Sequence, residues 1–263
     1  MCRQAFFVPG FDREEAINIL LNMEGKHNVD GTGLAYIKDK KFVIEKYSYS
    51  LSRVLRKNKN FLSHMPYNES GIIVHLRAAS QGGNKITNTH PFQKGNWAVC
   101  HNGVWGESEI VRLALSNFVK FEGETDSEVA AFLIDQIGPK RFSEEIEFAG
   151  VFLALHISGE LNVIKTSGQL EFNYLQNKRV LISSELEYEK YPDSKIALQG
   201  WYVFDKNGRF VKHKSPKMFY TPRVSSKNYK FVKINGKDRD KEQEYFNNRS
   251  LPSHYQQFHQ FID

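Results

Sequence analysis

Short apolar runs and amphipathic stretches alternate along the chain, and their rhythm sets out the elements. Residues 4–8 form an apolar run of strand length. Asp12-Arg13-Glu14-Glu15 follows, with Asp12 as N-cap and Glu15 at the third helical position, the arrangement of a capping box. It opens a helix whose apolar face carries Ala16, Ile19, Leu20 and Met23. Asp30-Gly31-Thr32-Gly33 reads as a turn feeding a strand pair, 34–37 and 42–47, joined by a turn at 38–41. Residues 51–62 read as a basic helix and 71–77 as an apolar strand ending in polar residues. A loop rich in Gly, Asn and Thr covers 80–89. Residues 97–101 are a further strand, predicted to break at Asn102-Gly103.

Helices are predicted over 107–116 and from Thr125 onward. The second carries Val129, Phe132, Leu133 and Ile137 on one face, with Gly138-Pro139 as its stop. Strands follow at 148–157 paired with 161–166, at 180–184, and at 201–204, hairpinned with 210–213 through Asn207-Gly208. After about residue 215 the pattern fades into Pro, Lys and Asn. Strand pairs alternating with paired helices predict an α+β layered domain over residues 2–214 and a C-terminal extension over 215–263.

Composition narrows the class. A chain of 263 residues, 40% hydrophobic and 25% charged, can bury a full core and has the balance of a globular protein. No apolar run reaches the roughly 18 residues that cross a bilayer. Glu14-Glu15 comes too soon for a signal peptide, and no apolar leader or myristoylation glycine flanks Cys2. Two cysteines, Cys2 and Cys100, exclude a disulfide framework and point to a reducing compartment. A cytoplasmic protein without a membrane partner is expected.

The net charge of +6 is unevenly spread. Residues 205–263 hold 13 Lys and Arg against 6 Asp and Glu, so the tail carries +7 and the rest −1. Phe219, Tyr220, Tyr229, Phe231, Tyr245 and Phe246 lie among the tail's basic residues. That mixture suits base stacking on nucleic acid, and it suits a solvated extension or a docking arm equally. No helix-turn-helix, zinc finger or Gly-rich phosphate loop sharpens the first reading.

Four features carry candidate chemistry. Cys2 is small enough for Met1 to be removed, which would put a thiol and a free α-amine on one residue. An α-amine titrates near pH ~7.7–8.0, so it can take the thiol proton and return it. Taken alone, Cys2 also reads as a buried, inert thiol. In His75-Leu76-Arg77-Ala78-Ala79-Ser80 a strand delivers a guanidinium, whose planar fork grips a carboxylate in two places or makes a surface ion pair. In His101-Asn102-Gly103 a side-chain amide beside a glycine N–H offers two donors to a developing oxyanion, although Asn-Gly is also a common tight turn. In Glu124-Thr125-Asp126-Ser127-Glu128, Asp126 at a helix start could hold an ammonium group or act as N-cap.

His75, His90 and His101 are spaced too widely to anchor a metal, and no Cys-x-x-Cys pair joins them; no metal and no cofactor are expected. Gly-x-Ser-x-Gly, Walker and dinucleotide-binding motifs are absent.

Taken in order, Cys2, Asp30-Gly31-Thr32-Gly33, His75-Leu76-Arg77-Ala78-Ala79-Ser80, Asn88-Thr89-His90-Pro91-Phe92, His101-Asn102-Gly103 and Glu124-Thr125-Asp126-Ser127-Glu128 resemble the class II glutamine amidotransferases, members of the N-terminal-nucleophile hydrolases. The resemblance covers roughly residues 2–205, with Phe148-Ala149-Gly150-Val151-Phe152 and Leu181-Ile182-Ser183-Ser184-Glu185 similar to later core strands. It implies a four-layer αββα sandwich. It also implies roles: Cys2 as nucleophile, Asn102 and Gly103 as oxyanion hole, Arg77 for the substrate α-carboxylate, Asp126 for the α-ammonium, and Ser80 and His90 lining the pocket. The substrate class implied is glutamine or a small γ-glutamyl compound.

Departures from the family pattern bear on the leaving group. Arg3 follows the cysteine where many members have Gly, which is similar to the stand-alone γ-glutamyl hydrolases of ergothioneine and glutathione metabolism. The run before the first Gly-rich segment is reduced to Asn28-Val29-Asp30-Gly31, and Gln81 stands where His or Tyr is common. No synthetase-like segment follows residue 205. The expectation is therefore a glutaminase-type hydrolase. The alternatives are a subunit that gives ammonia to a separate enzyme, or a silent module using the basic tail for nucleic acid.

Overall fold

The computed structural model describes residues 2–65, 68, 70–79, 83–186 and 190–215. Two antiparallel sheets stack face to face, each covered outside by helices. The first sheet is built from β1 (Arg3–Phe7), β2 (Gly31–Lys38), β3 (Lys41–Tyr47), β4 (Ile72–Arg77), β9 (Glu171–Tyr174), β10 (Val180–Ser183) and β11 (Lys195–Ile196), in the order β11-β9-β10-β1-β4-β2-β3. The second holds β5 (Phe92–Lys94), β6 (Trp97–Val104), β7 (Ala149–His156), β8 (Leu161–Lys165), β12 (Gly200–Phe204) and β13 (Phe210–Lys214), in the order β13-β12-β8-β7-β6-β5. Helices α1 (Arg13–Glu24) and α2 (Leu51–Lys57) pack on the first sheet, and α4 (Asp126–Glu145) packs on the second with α3 (Ser108–Leu115) beside it. This is the four-layer αββα sandwich.

Strand alternation explains the layers. On β6 and β7, Ala98, Cys100, Val151, Leu153 and Leu155 turn toward the first sheet and join Phe6, Val74 and Leu34 in one buried core. The intervening His101 and Phe152 turn the other way, toward α4, where Phe142 and Phe148 meet them. Each buried Val, Leu or Phe here contributes on the order of 1.5–3 kcal/mol by leaving water.

Several predicted elements change in the structure. Asp12 does cap α1, accepting from the Glu15 N–H at 2.8 Å. Glu15 does not return the bond; its carboxylate is taken by the Tyr191 hydroxyl and Lys190. The basic helix stops at Lys57, because Asn58 is extended (φ −128°, ψ 91°). Gly138, at φ 78° and ψ 155°, breaks α4, but helical structure resumes from Pro139, whose missing N–H is harmless in a first turn. The short strands β5, β9 and β11 have no alternation long enough to read.

Two corrections matter for the site. Gly31-Thr32-Gly33 is not a turn but the start of β2. Its glycines serve close approach: a Cβ on Gly33 would sit 1.9 Å from the His90 carbonyl oxygen, and one on Gly31 would sit 2.9 Å from Thr89 Oγ1. Asn102-Gly103 does not break its strand either. Both lie inside β6, opposite Val151 and Gly150 of β7.

Candidate active site

Cys2 immediately precedes β1, a central strand held between β10 and β4, where Arg3 lies opposite Leu76. The thiol therefore meets the exit of β4. Cys2 Sγ lies 3.4 Å from the Ala78 N–H, which donates to it. Burial pushes the Cys2 thiol above its ordinary range, while the Ala78 N–H and the Arg77 charge pull the other way. The resting group holds its proton and needs a base.

Arg77 closes β4. It is 3% exposed and donates through Nη1 to the Gly83 carbonyl. Asp30 holds the described residues on either side, Arg77, Ala79 and Asn84. Its N–H donates to the Arg77 carbonyl at 3.0 Å, and its carboxylate accepts from the Ala79 N–H at 2.8 Å and Asn84 Nδ2 at 3.1 Å. Ser80 and Gln81 lie outside the described residues, as do Met1 and residues 216–263.

His90 precedes a cis peptide with Pro91, its ring centroid 4.0 Å from that of His75 and 4.9 Å from that of Phe92. Burial drives His90 well below its ordinary value and His75 from 6.5 to about 3, so both rings are neutral near pH 7. The neutral His75 donates from Nε2 to the His101 carbonyl at 3.1 Å, tying the two sheets together beside the site. Gln4 makes a second tie through Nε2 to the Val151 carbonyl at 3.1 Å.

The backbone of β6 explains what Asn102 and Gly103 offer. Gly150 uses its N–H on Thr166 Oγ1 at 3.1 Å and its carbonyl on the Thr166 N–H at 2.9 Å, so both groups face β8. By the two-residue alternation of an antiparallel ladder, Gly103 opposite it turns its N–H away from β7. The His101 carbonyl, of the same parity, is turned that way and meets His75. The Gly103 amide thus points from the open side of the strand, where β5 no longer pairs. Asn102 is 2% exposed, with Oδ1 unpartnered among the described residues.

Asp126 begins α4. Its Oδ2 accepts from the Trp105 N–H at 2.8 Å and its Oδ1 from the Ser127 hydroxyl at 3.0 Å. Burial alone would raise this carboxyl. The His101 ring, the Trp105 amide and the Ser127 hydroxyl outweigh it and hold Asp126 below its ordinary value, as an anion.

Five of the residues singled out in the sequence, Cys2, Arg77, His90, Gly103 and Asp126, line one cleft of about 410 Å³ including its open mouth. Asn102 lies next to Gly103 on β6 and is not itself among the residues that line the cleft. His101, Thr125 and Ser127 also line it, and Asp30 braces its rim, though no role follows for these four from the sequence. All four stand inside the quoted motifs; what the sequence lacks is the facing that brings them together. The arrangement brings a thiol, a cation and an anion to one cleft, with the amide of Gly103 in its lining. Among the described residues no group of three or more His, Cys, Asp or Glu could hold a metal, and no helix is long and apolar enough to cross a membrane.

The sequence profile of the class II glutamine amidotransferases matches residues 20–190, and the chain belongs to that family. It is similar to the glutamine–fructose-6-phosphate aminotransferase of Staphylococcus epidermidis, 30% identical over 112 residues, or 42% of this chain and 19% of that protein. The Aquifex aeolicus aminotransferase of the same name is 34% identical over 108 residues, 40% of this chain and 18% of that one. The matched stretch is thus about a fifth of these relatives' length. In fold, the chain is similar to the glutamine phosphoribosylpyrophosphate amidotransferase of B. subtilis, with a TM-score of 0.63 at 18% identity over 82% of this chain and 49% of that one. A class II glutamine aminotransferase domain protein from Silicibacter pomeroyi gives 0.52 at 14% identity, over 84% and 100%.

Proposed function

We propose that this chain cleaves the γ-amide of glutamine or of a small γ-glutamyl compound through a thioester on Cys2. Arg77 takes the α-carboxylate and Asp126 the α-ammonium, which sets the side-chain amide over the thiol. The α-amine exposed by loss of Met1 accepts the thiol proton. The thiolate attacks the γ-carbonyl, and the oxyanion is held by Asn102 Nδ2 and the Gly103 N–H. The proton returns to the leaving ammonia or amine, and water then cleaves the thioester to release the γ-carboxylate. His90 completes the pocket.

One observation carries this reading: Cys2, Arg77 and Asp126 converge on a single cleft with opposite charges on the two binding groups. A second reading passes the released ammonia to a separate enzyme, and it is favoured by the similarity to glutamine–fructose-6-phosphate aminotransferases. The first test is glutamate and ammonia release from glutamine by wild type and Cys2→Ala. Turnover should vanish in the variant while its melting curve is kept; substantial residual hydrolysis would overturn the nucleophile assignment. A panel of γ-glutamyl amides then ranks leaving groups. Free ammonia equal to glutamate formed supports hydrolysis, and turnover that appears only with an added acceptor enzyme supports the second reading.

A further inference from the structure

The cleft contains a polar chain that the proposed chemistry does not use. Ser127 Oγ sits between two groups, 3.0 Å from Asp126 Oδ1 and 3.2 Å from His101 Nδ1. An ionised carboxylate can only accept, so the Ser127 proton points at Asp126. The Ser127 oxygen is then left to accept, which requires the proton of His101 to be on Nδ1. His101 Nδ1 also lies 3.8 Å from Asp126 Oδ1. With Asp126 an anion, these contacts are all satisfied by the order His101 Nδ1–H to Ser127 Oγ–H to Asp126 Oδ1.

The ring is fixed in that pose. It stacks on Phe152 at 4.0 Å between centroids and 7° between planes, and it is 2% exposed. Its other nitrogen, Nε2, is buried without a partner among the described residues, and a Cβ on Gly103 would come within 2.7 Å of it. A buried imidazole that leaves one nitrogen unsatisfied has its orientation set by the other. Here that other nitrogen leads to the carboxylate assigned to the substrate ammonium. From the opposite side the Trp105 N–H holds Oδ2 at 2.8 Å, so both carboxylate oxygens are constrained.

We propose that His101 is a positioning residue for substrate amino-group recognition: through Ser127 it aims and sustains the Asp126 carboxylate that receives the α-ammonium. This rests on the reading of Asp126 given above. Loss of the relay leaves the anion with Oδ2 on the Trp105 N–H but loosens the aim of Oδ1, so the effect falls on binding of the amino group. It does not fall on the thiol or the oxyanion donors. His101 touches no reacting atom.

The experiment compares glutamine with 4-carbamoylbutanoate, the same molecule without its α-amino group. In the full chain, His101→Phe keeps an aromatic ring on Phe152 and removes the donor. It should raise KM for glutamine about tenfold, the loss of one charge-linked hydrogen bond, with kcat and the KM for 4-carbamoylbutanoate within about twofold. Ser127→Ala should do the same, and it keeps the test open should His101→Phe fold poorly. His101→Asn, whose amide N–H occupies the place of Nδ1–H, should restore most of the glutamine KM. If both substrates lose equally, or if His101→Asn behaves as His101→Phe, the ring is merely structural and the proposal is overturned. A wild-type protein that turns over glutamine without preferring it to the desamino compound would overturn the assignment of Asp126 as well. A wild-type protein inactive on both would overturn the functional reading itself.

Discussion

Acid should unfold this protein through histidines that are buried neutral, and His75 allows the size to be worked out. Its Nε2–H is spent on the His101 carbonyl and its ring lies against His90, with no surface left for water. In the unfolded chain it takes a proton near 6.5; in the fold it does so only near 3. Between those values the unfolded state binds more protons, so stability is full above about pH 6.5 and falls as pH drops toward 3. At pH 4.5 the unfolded ring is about 99% protonated and the folded ring almost not at all, which gives a loss of about 2.5 kcal/mol relative to pH 7.5. His90 is held well below its ordinary value by burial and by its neighbours, and it adds loss of the same sign. The assay is urea unfolding followed by tryptophan fluorescence at pH 7.5 and 4.5, for wild type and His75→Gln. Glutamine can keep a donor near the His101 carbonyl but does not titrate. The pH 7.5 to 4.5 difference should shrink by about 2.5 kcal/mol in the variant. An equal difference in both proteins would refute the idea that His75 is an uncharged tie between the sheets.

Two further predictions concern the oxyanion wall. Asn102→Ala should lower kcat by about 10²–10³ with little change in KM, as expected for a donor used mainly in the transition state; a purely KM effect would move Asn102 to ground-state binding. In Gly103→Ala the new Cβ would lie 2.1 Å from the Ala149 carbonyl oxygen and 2.7 Å from both Gly150 Cα and His101 Nε2. Strand β6 must shift, so the urea midpoint should fall by the equivalent of about 1–3 kcal/mol and turnover should fall with it; an unchanged midpoint would contradict the packing described for the paired glycines.

The layered fold was legible because its inner strands are short apolar runs buried on both faces and its first helix announces its cap: Asp12 holds the start of α1 as expected, and Asn207-Gly208 closes the β12–β13 hairpin. Glycine was the residue most easily misread. The sequence offers Gly31, Gly33 and Gly103 as turn residues, whereas the fold uses them inside strands, where a neighbouring backbone comes too close for a Cβ. That demand comes from a partner distant in sequence, His90 for Gly33 and Gly150 for Gly103, so no local pattern carries it. The motif order brings Cys2, Arg77, His90, Gly103 and Asp126 to one cleft. The relay from His101 through Ser127 to Asp126 stayed hidden because it depends on which way β6 turns its side chains, which is fixed by pairing with β7. Glu15 shows the same limit, since its pairing with Tyr191 and Lys190 comes from the far end of the domain.

The central claim is that Cys2 is a live nucleophile in a glutamine-shaped cleft. It is tested most directly by incubating the full chain with 6-diazo-5-oxo-norleucine and recording the intact mass and the modified peptide. The account predicts one adduct on a chain lacking Met1, mapped to Cys2, suppressed by excess glutamine and absent from Cys2→Ala. An unmodified protein with Met1 still attached, or an adduct on Cys100 instead, would contradict it.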